Sequence, residues 1–303
     1  MLIWLLTRAS SLIKEIKVEI GLLPQTFLNG LMLAMFYIII ALGLTLVFSI
    51  LRIINFAHGE FYMIGGYIVY FFIGQYHLNY ILTFLFVMIS LGIFGVIIER
   101  VLLRRFLGQL LNAFIVTLGL SWALQSLALL FFGSMDRSFQ GIFPGVIKIM
   151  GMTFSLERII VTLCGFGLVV LLHLFIRYTK TGQAMRAVAQ DPDAASVQGI
   201  SVGRICSVAF FIGSALAGAA GALIAPVFMV SPTVGDIPLI KAFVIIILGG
   251  MGSIPGALIA GVILGMFESF GTLLMTVPTV ELLTFALVVV TLIFRPKGLF
   301  GVD

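Results

Sequence analysis

Long apolar runs constrain this chain more than any motif does. Residues 28–50, 80–98, 114–132, 159–176, 205–230 and 282–294 carry almost no ionisable side chain and are apolar on every face. A helix crosses the hydrocarbon core with about 20 such residues. Lipid offers backbone N–H and C=O groups no partner, so helices are the form these runs must take. The two-residue alternation of a membrane barrel is absent. Composition agrees: 61% of the residues are hydrophobic and 10% charged, outside the range of soluble domains. The expectation is an all-α, polytopic helical membrane protein. It has about eight transmembrane helices, some broken or re-entrant, in one transmembrane domain over residues 1–303.

The formal charge of +5 does not indicate nucleic acid, because the basic residues are scattered at the ends of apolar runs with no soluble domain to carry them. They read as topology signals. Arg100, Arg104 and Arg105, then Arg177, Lys180, Arg186 and Arg204, then Arg295 and Lys297 are expected on the cytoplasmic side. Cys164 and Cys206 fit no metal or redox spacing, and no cofactor is expected. In residues 1–23, Lys14, Glu15, Lys17 and Glu19 are interleaved with Leu12, Ile13, Ile16, Val18 and Ile20, the pattern of a short interfacial helix and not of a cleaved leader. Residues 133–157 become an outer loop. Its Phe143, Pro144, Val146, Ile147, Ile149, Met152 and Phe154 are too apolar to stay in water, so it is expected to fold onto the bundle.

Charge parity adds two demands. From Arg204 to Arg295 an even number of crossings is needed, so residues 239–266 are expected to break into two short pieces at GGMGSIPG. Gly249, Gly250, Gly252 and Gly256 loosen the backbone there, and Pro255 removes a helix donor. Before Arg100, residues 28–50, 61–73 and 80–98 give an odd count, while Arg8, Lys14 and Lys17 favour a cytoplasmic start. Either one segment is re-entrant or the N-terminus lies outside. A short echo, IALGLTLVFS (40–49) against VTLGLSWALQ (116–125), is compatible with an internal repeat, and equally with chance similarity between apolar helices.

The polar stretch 177–204 stands apart. Asp191 suits a helix N-cap, Pro192 the first helical position, Asp193 the positive end of the dipole and Gly199 the position past the C-terminus. The implied helix has about seven residues and is roughly 10 Å long, too short to be stable without something to pack on. It is either a docking helix for a cytoplasmic motor or a connector resting on the protein's own membrane face. In NFAHGE (55–60), Asn55, His58 and Glu60 interrupt an apolar region, a costly placement that normally faces a bundle interior or wet cavity. His58 and Glu60 could meet a zwitterionic solute; alternatively Asn55 and His58 cap a helix break and Glu60 is the first-turn acid of the next helix. Glu268 is a candidate for the same path or for an internal ion pair, and Lys241 is expected to snorkel to the outer interface. Gly213, Ala217 and Gly221 suit close helix packing. The glycines of 249–256 miss the dinucleotide-binding spacing, and no phosphate loop is present, so ATP hydrolysis by that route is excluded for this chain.

A family resemblance enters at these motifs. DAASVQG (193–199) resembles the cytoplasmic "EAA" signature of bacterial ABC-importer permeases, with Asp for Glu and without the downstream Ile-x-Leu-Pro at 209–212. ALGLTLVFSILRIINFAHGEFYMIGGY (41–67) and IILGGMGSIPGALIAGVILGMFE (246–268) look like the high-affinity branched-chain amino acid permeases of the smaller, H-type subunit, and the likeness runs to RPKGLFG at the end of the chain. The resemblance implies half of an importer channel in the bacterial inner membrane, with no catalysis of its own. Its implied partners are a second homologous permease, two cytoplasmic ATPases, a periplasmic or lipid-anchored solute receptor, the surrounding lipid and an amino-acid substrate. Leucine, isoleucine and valine are the implied solutes, although members of this family also carry urea or short amides. Within the polar stretch it assigns ATPase coupling to Arg186, Asp191, Pro192, Asp193, Ala194, Ala195 and Gly199. The alternative from the residues alone is a gradient-driven transporter or channel using Glu60 or Glu268.

Overall fold

A computed structural model describes residues 2–139, 141–143, 145–149 and 152–300, with side chains described from residue 22 onward except at 149 and 152. The interfacial pattern expected of residues 1–23, whose Leu12 to Ile20 side chains carry it, and Pro144 with the Ile149 and Met152 side chains in the outer loop therefore fall outside the described set.

Among the described residues, eleven α-helices and one hairpin carry the fold. Helix α1 (Leu2–Leu51) is followed by an extended segment and α2 (His58–Val69), which tightens into π-helical turns over Tyr70–Gln75. Helix α3 (Tyr80–Ile98) continues through irregular turns to Phe106, and α4 (Leu110–Phe132) leads to the hairpin β1 (Val146–Ile149) and β2 (Met152–Ser155). Then come α5 (Leu156–Tyr178), α6 (Lys180–Gln190), α7 (Pro192–Val197), α8 (Val202–Ile224), α9 (Asp236–Gly249), α10 (Ile254–Leu274) and α11 (Val277–Phe294). Seven of these segments are long and apolar enough to cross a membrane: residues 22–51, α3 with its extension, α4, α5, α8, α10 and α11. The protein is a helical multi-pass membrane protein. Seven such segments among the described residues stand close to the expected count of about eight, while α2 with 12 residues and α9 with 14 are too short to cross alone.

The centre of the bundle is α1 and α8. In each, 83% of the apolar window is buried, against 17% in α4 and α11. Small residues on α8 explain this. A side chain on Gly213 would strike the backbone of Gly43 in α1, and one on Gly218 would meet Leu91 of α3. On the other side of that contact, a side chain on Gly65 of α2 would strike Gly218 itself. Without a hydrophobic drive between helices in lipid, such backbone approach is what draws helices together. The peripheral helices present Ile115, Trp122, Leu130, Leu282 and Ile293 outward, where hydrocarbon receives them.

One end of the bundle gathers the basic ends. Arg52 at the end of α1 donates to the Ala189 carbonyl of α6 at 2.9 Å, and Arg104 after α3 donates to the Gly203 carbonyl of α8 at 2.9 Å. Leu299 N donates to Leu248 O at 2.8 Å. The positive-inside rule expects this basic end in the cytoplasm. The opposite end holds Asn29 beside Arg158, and Ser269 bonded to the Thr26 carbonyl at 2.6 Å. On that rule the first apolar pass runs from outside to inside. Between Arg204 and Arg295 lie α8, α9, α10 and α11, with the break at 249–256 where it was expected, but the expected two short pieces are corrected: α9 has 14 residues and α10 has 21, enough to cross alone. The outer loop folds down only in part. Phe143 packs edge-on against Tyr80 at 5.7 Å, while Val146 on the hairpin is 63% exposed.

Candidate functional site

At the basic end two short helices link α5 to α8. Thr179 caps α6, its hydroxyl accepting from Gly182 N at 3.0 Å. Helix α6 buries Gly182, Met185 and Val188, a three-residue repeat that seats one face on the bundle. Arg186 points the other way, toward the Arg177 carbonyl at 3.5 Å. Asp191 caps α7, its Oδ1 accepting from Asp193 N at 2.9 Å and Ala194 N at 3.0 Å, with Pro192 in the first turn. Gly199 closes the unit at φ 83°. Ala195 is buried, whereas Asp193 and Ala194 are exposed and Val197 is 84% exposed. Helix α7 thus rests on the protein by one residue and leaves its other face open, which accommodates both readings of the stretch. The preceding α6 was missed in the sequence; its Met-x-x-Val spacing was the available signal.

Beside these helices lies a clasp that the sequence did not reveal. Glu99, fully buried, accepts from Arg104 Nε at 2.9 Å and Nη2 at 3.1 Å, and from the Ser207 hydroxyl at 2.7 Å. It ties the end of α3 to the first turns of α8, directly after α7.

Deep in the bundle, residues 52–57 climb back from the basic end and are held to α4 by the Thr117 hydroxyl on the Ile54 carbonyl at 3.1 Å. Phe56 is wedged between Phe114 at 4.9 Å and Phe243 at 5.0 Å. Helix α2 begins at mid-depth. His58 Nε2 lies 3.2 Å from the Ile40 carbonyl, near the middle of the α1 pass, and Glu60 Oε1 accepts from Ser121 at 2.8 Å and Gln125 Nε2 at 3.0 Å, midway along α4. The same Gln125 nitrogen donates to Asp236 Oδ1 at 2.7 Å in the first turn of α9. Asn55, His58 and Glu60 are all buried, and both polar atoms of Asn55, His58 Nδ1 and Glu60 Oε2 have no protein partner. Sequence reasoning found Glu60 but not Ser121, Gln125 or Asp236. Gln125 was visible as a lone amide in an apolar run.

Glu268 does not join this group. It pairs with Lys241 inside the bundle, and Tyr37 donates to its other oxygen at 2.7 Å. The expected outer-interface position of Lys241 is therefore corrected: the residue is 3% exposed, because α9 begins inside the bundle and carries its second turn to mid-depth. Beside the pair, sharing Tyr37 with it, a cavity of about 720 Å³ is lined by Phe36, Tyr37, Tyr62, Val234, Ile237 and Pro238, mostly apolar with two phenol groups.

The α9–α10 break is a contact of two backbones. A side chain on either Gly249 or Gly256 would strike the other residue's main chain, so only glycine permits the crossing. Gly250 and Gly252 turn the chain at φ 102° and 88°, Ser253 caps α10 by accepting from Gly256 N at 3.1 Å, and Pro255 lies in its first turn.

A family model described as "Branched-chain amino acid transport system / permease component" matches residues 26–292. The chain is 35% identical over 293 residues to the high-affinity branched-chain amino acid transport system permease protein LivH of Salmonella typhimurium, covering 91% of this chain and 95% of that one. It is 34% identical over 292 residues to the corresponding permease protein BraD of Pseudomonas aeruginosa, with the same coverage. A probable branched-chain amino acid transport permease protein of Methanocaldococcus jannaschii is 28% identical over 293 residues, 88% of this chain and 89% of that one. No solved structure matches the chain.

Proposed function

Because the chain belongs to the family of branched-chain amino acid transport system permease components, we propose that it forms half of the channel of an ATP-binding-cassette importer for leucine, isoleucine, valine or related amino acids. It sits in the bacterial inner membrane with a homologous permease, two cytoplasmic ATPases and a periplasmic or lipid-anchored receptor. The observation that carries this reading is likeness along nearly the whole length of relatives named for that transport, 95% of the Salmonella protein. The cytoplasmic α6–α7 unit supports the coupling role, with Asp193, Ala194 and Val197 facing outward and α6 seated on the bundle.

In this reading, ATPase closure displaces α6 and α7. The load reaches α1 through Arg52 and the Ala189 carbonyl, and α3 and α8 through Arg104, Glu99 and Ser207. These central helices carry the short helices α2 and α9 at mid-depth, so a rocking of the unit alternately opens the outer cavity and the cytoplasmic side. Coupling of this kind needs two discrete arrangements of the same contacts. The buried acids Glu60 and Glu268 favour, as the second reading, a gradient-driven carrier.

Proteoliposomes holding the complete transporter and its receptor separate the two. Leucine uptake is expected to require ATP and to be indifferent to an imposed proton gradient. ATP-independent uptake by this chain alone would overturn the importer reading.

A further inference from the structure

Two helices start inside the bundle and aim their first turns at each other. A side chain on Gly59, in the first turn of α2, would come within 2.7 Å of the Gly235 carbonyl just before α9, so the two helix starts touch backbone to backbone. Each brings one acid: Glu60 from α2 and Asp236 from α9, joined through the single nitrogen of Gln125. Glu60 is fully buried and its Oε2 has no partner.

Charge counting shows what the cluster lacks. Each helix start contributes a partial charge of about +0.5, so the pair offsets about one of the two carboxylate charges and leaves about one unmatched. No basic side chain among the described residues supplies the difference. Helix α4 carries no charged residue, His58 on α2 is turned to the Ile40 carbonyl, and Lys241 on α9 is committed to Glu268. An unmatched buried charge is costly, and a ligand cation relieves it. The cluster is not sealed, since Gln125 and Asp236 are only partly buried, and Val234 and Ile237 on either side of Asp236 line the outer apolar cavity.

We propose that Glu60 and Asp236, bridged by Gln125, form a binding site for the primary ammonium group of the transported solute, with its apolar side chain lying toward the cavity bounded by Tyr62, Val234 and Ile237. This assignment rests on the amino-acid importer reading and deepens it. Hydrogen-bonding capacity agrees: an ammonium has three donors and no acceptor, and Glu60 Oε2 and the carboxylate of Asp236 are acceptors only.

Carbodiimide labelling of Glu60 in the complete membrane-embedded transporter, read by peptide mass, tests the site. Isopentylammonium chloride, the ammonium without the carboxylate, is expected to protect Glu60. Sodium chloride and 4-methylpentanoate at equal concentration are expected not to. Asp236→Asn should raise the half-protecting ammonium concentration about tenfold, the effect of roughly 1.4 kcal/mol, while Glu60 is still labelled. Glu60→Gln should remove the label and identify the site. Absence of labelling in the unaltered transporter, protection by sodium equal to that by the ammonium, or an unchanged half-protecting concentration in the Asp236 variant overturns the proposal. Since the assay uses neither ATP nor the receptor, its outcome is independent of whether uptake proves ATP-driven.

Discussion

Lys241 and Glu268 occupy positions where neither charge can stand alone. Replacing one partner leaves the other buried and uncompensated, a loss of about 3–5 kcal/mol, whereas replacing both by apolar residues of similar size is close to neutral. Lys241→Met or Glu268→Leu should therefore each lower the thermal midpoint of the detergent-solubilised protein sharply, and the double variant should recover most of the loss. A double variant no better than either single one would show that the pair is not mutually compensating. The same comparison explains which residues were legible from sequence. Asn55, His58, Glu60 and Glu268 stand out because a polar atom in an apolar run is expensive wherever it packs. Tyr37, Ser121 and Asp236 do not, since their partners lie 231, 61 and 111 positions away and packing alone brings them together. Lys241 was misplaced because depth was judged by distance from the start of an apolar run, and that measure fails when a helix begins inside the bundle.

Among the elements, α7 was readable because its signals are local: the Asp191 cap, Pro192 and the positive φ of Gly199 act within one turn. The unequal division of α9 and α10 was not, because Gly and Pro mark a break without fixing how much helix follows it. Gly199→Val should cost roughly 1–2 kcal/mol of local strain and reduce co-purification of the ATPases severalfold while membrane insertion is retained. Unchanged co-purification would remove α7 from the coupling role. The Glu99 clasp makes a separate prediction. Arg104→Ala leaves a fully buried carboxylate with Ser207 as its one remaining donor among the described residues, so α3 and α8 should separate at that end. In reconstituted transporter the ratio of leucine imported to ATP hydrolysed should fall severalfold, and Arg104→Lys should restore it partly, as a point charge without the fork. An unchanged ratio in Arg104→Ala would detach the clasp from coupling.

For the molecule as a whole, the bundle's direction in the membrane can be measured. In a background lacking Cys164 and Cys206, a single cysteine at Val197 should react with a membrane-impermeant maleimide only from the cytoplasmic side. One at Ile147 or Leu23 should react only from outside. Labelling of residue 23 from the cytoplasm would reverse the first pass and with it the parity assignment. The arrangement of α1 and α8 at the centre follows from glycine and alanine spacing legible in α8, but which helices they admit was decided by shape. The α9 seat has a consequence for how the protein is made. The last carbonyls of α9, at Leu248 and Gly249, find their donors in Leu299 and Phe300, beyond α11. The ribosome must deliver two further spans before that helix end is satisfied. Until then α9, only 14 residues long and starting below the surface, waits in the translocon's neighbourhood unfinished. A chain stalled after α9 should therefore be a preferred substrate for membrane proteases.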